Sequence, residues 1–345
     1  MSATVEKSPP QVEPPASGTS LKQRLAGFRL DRYGTLLFFL AFYVIIGAKE
    51  GSAYISWENI SLVLSNNANV AVLAAAVTIT LIAGQFDLSC GALAGMTAVL
   101  AAHWATTGMA TGFMIILVLA VGAAAGFLNA LLVTRAHVNA FIATLGTGGV
   151  FAGIALWVSK GQAIFGEMPK IFTDAGTTKL IGIPLPMVYL VLLLVALWAL
   201  TKRTVIGRFW YAAGSNPSSA ELAGVPVRRM TTYAFIATGM LAALAGILAV
   251  ARFGAADPSS GPDLLLPAFA GAFLGSSILS DGRFTVVGSL LAACLIVFAT
   301  NGLDVAAVNV AVKPMFNGAV LVGAVAITEV LRRRRKAGSL LPRAA

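Results

Sequence analysis

Between two long apolar tracts the chain reads Gly84-Gln85-Phe86-Asp87-Leu88-Ser89-Cys90-Gly91, which sets a carboxylate, an amide and a hydroxyl into sequence otherwise free of charge. An ionisable group flanked by apolar sequence is expensive to hold in hydrocarbon, so such a break serves one of two ends. Either Phe86, Asp87 and Ser89 line a cavity or pathway, or the segment is an interfacial turn in which Asp87 caps the next helix through Ser89 and neighbouring N–H groups. The residues alone leave both readings open. Asn139, Thr144 and Thr147 bring an amide and two hydroxyls to the start of a further apolar tract, where they suit either a hydroxyl-bearing solute or hydrogen bonds between helices.

A second chemical feature lies between two apolar tracts in Gly214-Ser215-Asn216-Pro217-Ser218-Ser219-Ala220-Glu221-Leu222-Ala223-Gly224-Val225. Asn216 suits a helix N-cap, Pro217 the first helical position and Gly224 the left-handed residue that ends a helix, with Ser218, Glu221, Leu222 and Ala223 between them. A helix of about two turns is unstable alone in water, so this one must be docked on the rest of the chain or on a partner.

Catalysis has no comparable foundation. The phosphate-cradling G-x-x-x-x-G-K-[ST] loop is absent, and His103 and His137 fall in different segments without carboxylate or cysteine neighbours. The sequence therefore predicts no enzyme, no cofactor and no metal site. Cys90 and Cys294 both sit in or beside apolar tracts, where each reads as a small hydrophobe rather than half of a disulfide.

The elements that must position these residues follow from composition. Of 345 residues 58% are hydrophobic and 11% charged, with a mean hydropathy of +0.85, whereas soluble domains carry about 25% charged residues. Lipid is the solvent, and long continuous apolar runs select helices over an alternating barrel pattern. Runs lacking Asp, Glu, Lys and Arg extend over 33–48, 59–86, 88–134, 136–159, 180–201, 230–251, 264–280, 284–303 and 314–328. The third holds 47 residues against the roughly 20 that one crossing needs, and Thr106, Thr107, Gly108, Thr111 and Gly112 offer a turn in its middle. The expectation is an all-α, polytopic membrane bundle of about ten transmembrane helices.

Residues 1–32, rich in Pro, Ser and charge, read as a disordered cytoplasmic tail, residues 33–331 as the transmembrane domain, with the inner segment 202–229 inside it, and 332–345 as a basic cytoplasmic tail. With both termini inside, 18 of the 24 Lys and Arg residues fall on the cytoplasmic face, as basic residues near spans prefer. That segregation accounts for the net charge of +10 without nucleic acid. Small-residue pairs at Gly91/Gly95, Gly122/Gly126, Gly149/Gly153 and Gly271/Gly275 are read as helix-packing contacts.

On four stretches, GQFDLSCGALAGMTAVLAA (84–102), NAFIATLGTGGVFAGIAL (139–156), GRFWYAAGSNPSSAELAGVPVRR (207–229) and LLPAFAGAFLGSSILSDGRFTVVGSLLAACLIVFATNGLDV (265–305), the chain resembles permease subunits of bacterial ABC importers for ribose, xylose, arabinose and related sugars. With FNGAVLVGAVAI (316–327) the resemblance covers nearly all of 35–331. It implies a type II ABC importer-like bundle in the bacterial cytoplasmic membrane. It also implies a second permease subunit, identical or a close paralogue, two cytoplasmic ATPase subunits, and an external sugar-binding protein. Asn216 to Gly224 would then be the coupling helix seated in the ATPase, and Phe86 to Ser89 would lie on the central pathway. An ion-coupled secondary transporter is the alternative, with Asp87 as the acid closest to a break.

Overall fold

The computed structural model describes residues 30–52, 54–279 and 282–338. The expected tail over 1–32 falls almost wholly outside them, as do the last seven residues. Within the described residues the regular elements are fourteen helices and four two-residue strands, joined by turns and loops. The helices are α1 (Leu30–Glu50), α2 (Trp57–Asn66), α3 (Ala68–Ile82), α4 (Cys90–Thr106), α5 (Thr111–Thr134), α6 (Ala140–Ser159), α7 (Lys170–Thr177), α8 (Leu185–Arg203) and α9 (Val205–Ser215). After them come α10 (Pro217–Leu222), α11 (Val227–Phe253), α12 (Ser260–Leu279), α13 (Val286–Val305) and α14 (Val312–Gly338).

Five of these, α5, α6, α8, α11 and α13, are each long and apolar enough to cross a membrane, and the bent pair α2–α3 makes six. The anticipated turn in the 47-residue run is present: α4 stops at Thr106, Gly108 takes φ +81°, and α5 starts at Thr111. The run over 59–86, by contrast, is not one straight helix. It bends by 53° between α2 and α3, where the Asn67 amide donates to the Val63 carbonyl at 2.9 Å and competes with the helical ladder. At the other end α14 continues to Gly338, carrying the helix through the basic stretch 332–336.

All fifteen residues of α3 are buried, as expected of a helix apolar on every side. It forms the axis against which α11, α12 and α13 pack. Glycine sets the closest crossings. A Cβ on Gly122 or Gly126 would strike the backbone of α11 at Gly239 and Phe235, one on Gly91 or Gly95 would strike α12 at Gly261, and one on Gly275 would strike α13 at Gly288. Gly149 and Gly153 differ, because nothing lies within 4 Å of either. Among the described residues both glycines are exposed and nothing packs on them.

The segment between α6 and α8 is structured, although no periodicity in it announces an element. β1 (Ile164–Phe165) pairs antiparallel with β4 (Ala255–Ala256), and β2 (Lys179–Leu180) pairs with β3 (Ile183–Pro184). Gly176 of α7 rests on the backbone of Ala251 and Arg252, so the segment is tied to the end of α11.

Candidate functional site

Two groups of residues carry the polar chemistry, and they meet at one backbone crossing. The first is centred on the turn between α3 and α4. Asp87 is 1% exposed, and its Oδ1 accepts from the Ser89 amide at 3.0 Å and the Ser89 hydroxyl at 2.6 Å. The carboxylate thus caps the approach to α4, while among the described residues its buried Oδ2 has no hydrogen-bond partner. From Ser89 the network runs outward across two further helices. Asn129 of α5 donates from Nδ2 to the Ser89 Oγ at 2.8 Å, and the Thr147 hydroxyl of α6 donates to the Asn129 Oδ1 at 2.7 Å. Thr144, one turn earlier on α6, accepts from the Leu88 amide at 3.0 Å and donates to the Ala140 carbonyl at 2.7 Å.

Of the residues singled out in the sequence, Asp87, Ser89, Thr144 and Thr147 are therefore brought together and buried. Their hydroxyls are spent on one another, on Asn129 and on backbone rather than left open to a cavity. Hydrogen bonds between helices in lipid average about 0.6 kcal/mol and reach about 1.7, so the cluster ties α4, α5 and α6 without making them rigid. Asn139 lies apart from it, exposed at the start of α6, where its side chain accepts from the Phe141 amide at 2.9 Å. Phe86 is 43% exposed and stacks against Phe273 of α12 with ring centroids 6.5 Å apart.

Asn129 is the member that sequence reasoning missed. A lone amide inside a 47-residue uncharged run was a signal, because such a group in lipid needs a partner.

The second group is the segment between α8 and α11. Asn216 caps α10, its side chain accepting from the Ser219 amide at 3.1 Å, and Pro217 opens the helix. Gly224 takes φ +81° and donates to the Glu221 carbonyl at 2.9 Å, closing the helix as its sequence position predicts. Ala220 and Val225 are buried against the bundle, while Pro217, Ser218, Glu221 and Ala223 are exposed and Leu222 is 91% exposed. A leucine so fully presented on a six-residue helix is left almost uncovered by the described residues.

Ahead of α10 stands α9, an element the sequence reading had not separated from the rest of 202–229. Thr204 caps it by accepting from the Gly207 amide at 3.2 Å. Its apolar side is fastened by the buried Trp210, whose Nε1 donates to the Met230 carbonyl at 2.8 Å, and by Tyr211, whose hydroxyl donates to the Phe284 carbonyl at 3.0 Å. At its end Gly214 lies directly on the turn that leads to Asp87. A Cβ on Gly214 would clash with the Ile82 carbonyl oxygen and come within 2.8 Å of the Gly84 amide nitrogen. Gly84 has φ +78°, so both glycines are required: one by contact, the other by contact and conformation. The exposed helix α10 and the buried carboxylate are joined through a backbone-to-backbone contact at Gly214 and Gly84.

Among the described residues no group of three or more His, Cys, Asp or Glu side chains could hold a metal ion. Cys90 and Cys294 are both free thiols.

A family model described as "Branched-chain amino acid transport system / permease component" matches residues 59–325. Among curated proteins, the chain is 31% identical over 254 residues to the ribose import permease protein of Haemophilus influenzae, covering 73% of this chain and 79% of that protein. It is 31% identical over 258 residues to the autoinducer 2 import system permease protein of Salmonella typhimurium, covering 73% and 78%. Over 305 residues it is 28% identical to the D-allose transport system permease protein of Escherichia coli, covering 88% and 93%. No solved structure matches. The matched stretch contains the Asp87 turn, the network on α4 to α6, and the α9–α10 segment, and with the all-helical apolar bundle around them the chain belongs to the permease components of this transport-system family.

Proposed function

We propose that this chain is the membrane-spanning permease subunit of a binding-protein-dependent ABC importer that carries a monosaccharide or a related small polar solute. The observation that carries the reading is the pairing of an outward-presented, capped helix with a direct mechanical route inward. Leu222 stands 91% exposed beside Glu221, and the helix before it presses Gly214 onto the Gly84 turn two residues from Phe86 and three from Asp87. A cytoplasmic ATPase gripping α10 through Leu222 and Glu221 moves α9, and α9 cannot move without moving the turn. Because the Asp87 network ties that turn to α5 and α6, the displacement shifts three helices together. The coupling free energy is then the difference in ATPase contacts at α10 between an outward-open and an inward-open bundle.

In this reading Phe86, Asp87, Ser89, Asn139, Thr144 and Thr147 belong to the pathway wall. The bonds that the buried four make are the closed arrangement, in which no hydroxyl is spare for a solute. The relatives named for ribose, allose and autoinducer 2 support a hydroxyl-rich cargo, and an external binding protein delivers it. The bundle crosses the bacterial cytoplasmic membrane about ten times with both ends inside, which puts 202–229 and most basic residues in the cytoplasm. A second permease subunit completes the path. The unpartnered face of α6, with Gly146, Gly149 and Gly153 open to close approach, suits that subunit.

The test is extraction in mild detergent followed by identification of co-purifying chains and uptake of radiolabelled ribose and allose in cells. An ATPase subunit should accompany the parent protein and be lost from a Glu221→Arg or Gly224→Val variant that still inserts, with uptake lost in parallel. One observation favours an ion-coupled transporter instead, the unpartnered Asp87 Oδ2. Uptake that survives ATP depletion and stops with a protonophore would establish that mechanism.

A further inference from the structure

Toward the end of the bundle opposite α9 and α10, a cavity of about 500 Å3 opens among α5, α7, α8 and α11. Its volume lies within the roughly 300–1,000 Å3 of small-molecule sites. Phe172 and Ala175 of α7 form its upper wall, Leu192 and Ala196 of α8 one side, and Leu248 and Ala251 of α11 the other. Tyr189 carries the one polar side chain among the lining residues. A sugar placed here would lose its hydrogen bonds to water and find almost none in return, so the cleft is no part of the solute path. Leu192 is 62% exposed, which leaves that wall accessible from the surface that hydrocarbon covers.

The residue after Ala251 is Arg252. Its Nε donates to the Asn66 side-chain oxygen at 2.8 Å and a terminal nitrogen donates to the Gly176 carbonyl at 3.3 Å. Both acceptors are neutral: they orient the guanidinium and leave its charge uncompensated, with more of its five N–H donors to offer. Among the described residues no carboxylate stands within ion-pair distance of it. Of the acidic residues on the segments that meet beside it, Asp174 on α7 and Asp257 beyond β4 are both exposed, and Asp257 already accepts the Ser259 amide and hydroxyl. Because Gly176 rests on the backbone of Ala251 and Arg252, the roof of the cleft and the cation form one fixed unit. A half-buried, oriented, unneutralised cation one residue beyond the Ala251 wall of an apolar slot matches a molecule with an anionic head and a hydrocarbon tail.

We propose that this cleft is a phospholipid site: one acyl chain lies between α8 and α11, and the headgroup phosphate pairs with Arg252. The experiment is native mass spectrometry of the detergent-purified full chain titrated with dioleoylphosphatidylglycerol or dioleoylphosphatidylcholine. The parent protein should retain one lipid, with about a fivefold preference for phosphatidylglycerol, the ratio expected of one basic group at a membrane surface. Arg252→Gln should still bind lipid but lose the preference. Ala196→Trp, which fills the slot and leaves Arg252 in place, should lower retention of both lipids about tenfold. Leu192→Trp, at the exposed rim, should do the same and serves should Ala196→Trp lose helicity or monodispersity. Equal retention by parent and both tryptophan variants overturns the proposal. So does an unchanged preference in Arg252→Gln, or a lipid-free species of twice the chain mass that Leu192→Trp dissociates, which would mark a second copy as the occupant of the cleft; a dimer formed on α6 would survive that substitution.

Discussion

Replacing Gly214 with alanine sets two effects of opposite sign against each other, and the structure decides between them. Gly214 lies inside helix α9, where alanine is favoured over glycine by about 1 kcal/mol, so propensity alone predicts a more stable protein. The added Cβ, however, has no free volume: it meets the Ile82 carbonyl oxygen, the Gly84 nitrogen at 2.8 Å and the Ala83 carbonyl carbon at 3.0 Å. All three are backbone atoms, which cannot swing aside as the end of a side chain can. Overpacking of this kind costs about 1–3 kcal/mol, and the rigidity of the contact argues for the upper part of that range. The net expectation is a loss of about 1–2 kcal/mol. Reversible unfolding in mixed detergent micelles, followed by circular dichroism, measures it. Gly149→Ala supplies the control, since nothing lies within 4 Å of that Cβ and the variant should be neutral or slightly more stable. Any Gly214→Ala protein that still inserts should also transport poorly, because spreading α9 from the Gly84 turn breaks the link between α10 and Asp87. A Gly214→Ala variant as stable as the parent would falsify the backbone crossing and the mechanical route built on it.

Four further outcomes follow from the same geometry. Asn129→Ala and Thr147→Val should be non-additive, with a coupling energy of about 0.5–1.5 kcal/mol in a double-mutant unfolding cycle, because the valine change removes a bond that the alanine change has already broken; additive effects would mean the 2.7 Å contact carries no energy. Asp87→Asn keeps an acceptor for Ser89 and removes a charge whose second oxygen has no partner, so unfolding should show equal or greater stability while uptake falls; unimpaired uptake would take Asp87 out of the pathway. Trp210→Phe removes the indole N–H bond to the Met230 carbonyl, which lies inside α11 and keeps its ladder partner, and should cost about 0.5–1.5 kcal/mol in the same unfolding assay; no cost would mean the 2.8 Å bond carries no energy. Leu222→Asp removes exposed apolar surface and should insert and fold normally yet fail to retain an ATPase subunit in a pull-down; a drop in folding stability instead would show that Leu222 packs on this chain.

Much of this protein is legible in one dimension because a bilayer imposes a one-dimensional rule. Every uncharged run long enough to span hydrocarbon must satisfy its backbone internally, and every such run here carries helix. The caps of α10 were equally readable, since Asn216, Pro217 and Gly224 act through bonds and dihedral angles within a few residues of one another. The same locality explains why Asp87 and Ser89 could be recognised as a possible cap, but not as buried together with Thr147, 58 positions farther along.

What the tertiary structure alone decided are the contacts between segments remote in sequence. Asn129 gained a role only when α5 was laid between Ser89 and Thr147, and Gly84 and Gly214, each unremarkable in its own segment, became a single joint when α9 folded onto the turn after α3. The cleft beside Arg252 is likewise bounded by residues from several helices, none of which signals a cavity by itself. Hydropathy and capping report how each segment satisfies its own backbone, and therefore where helices lie. Which helix faces which is set by small-residue packing and sparse interhelical hydrogen bonds, whose partners no single stretch of sequence contains.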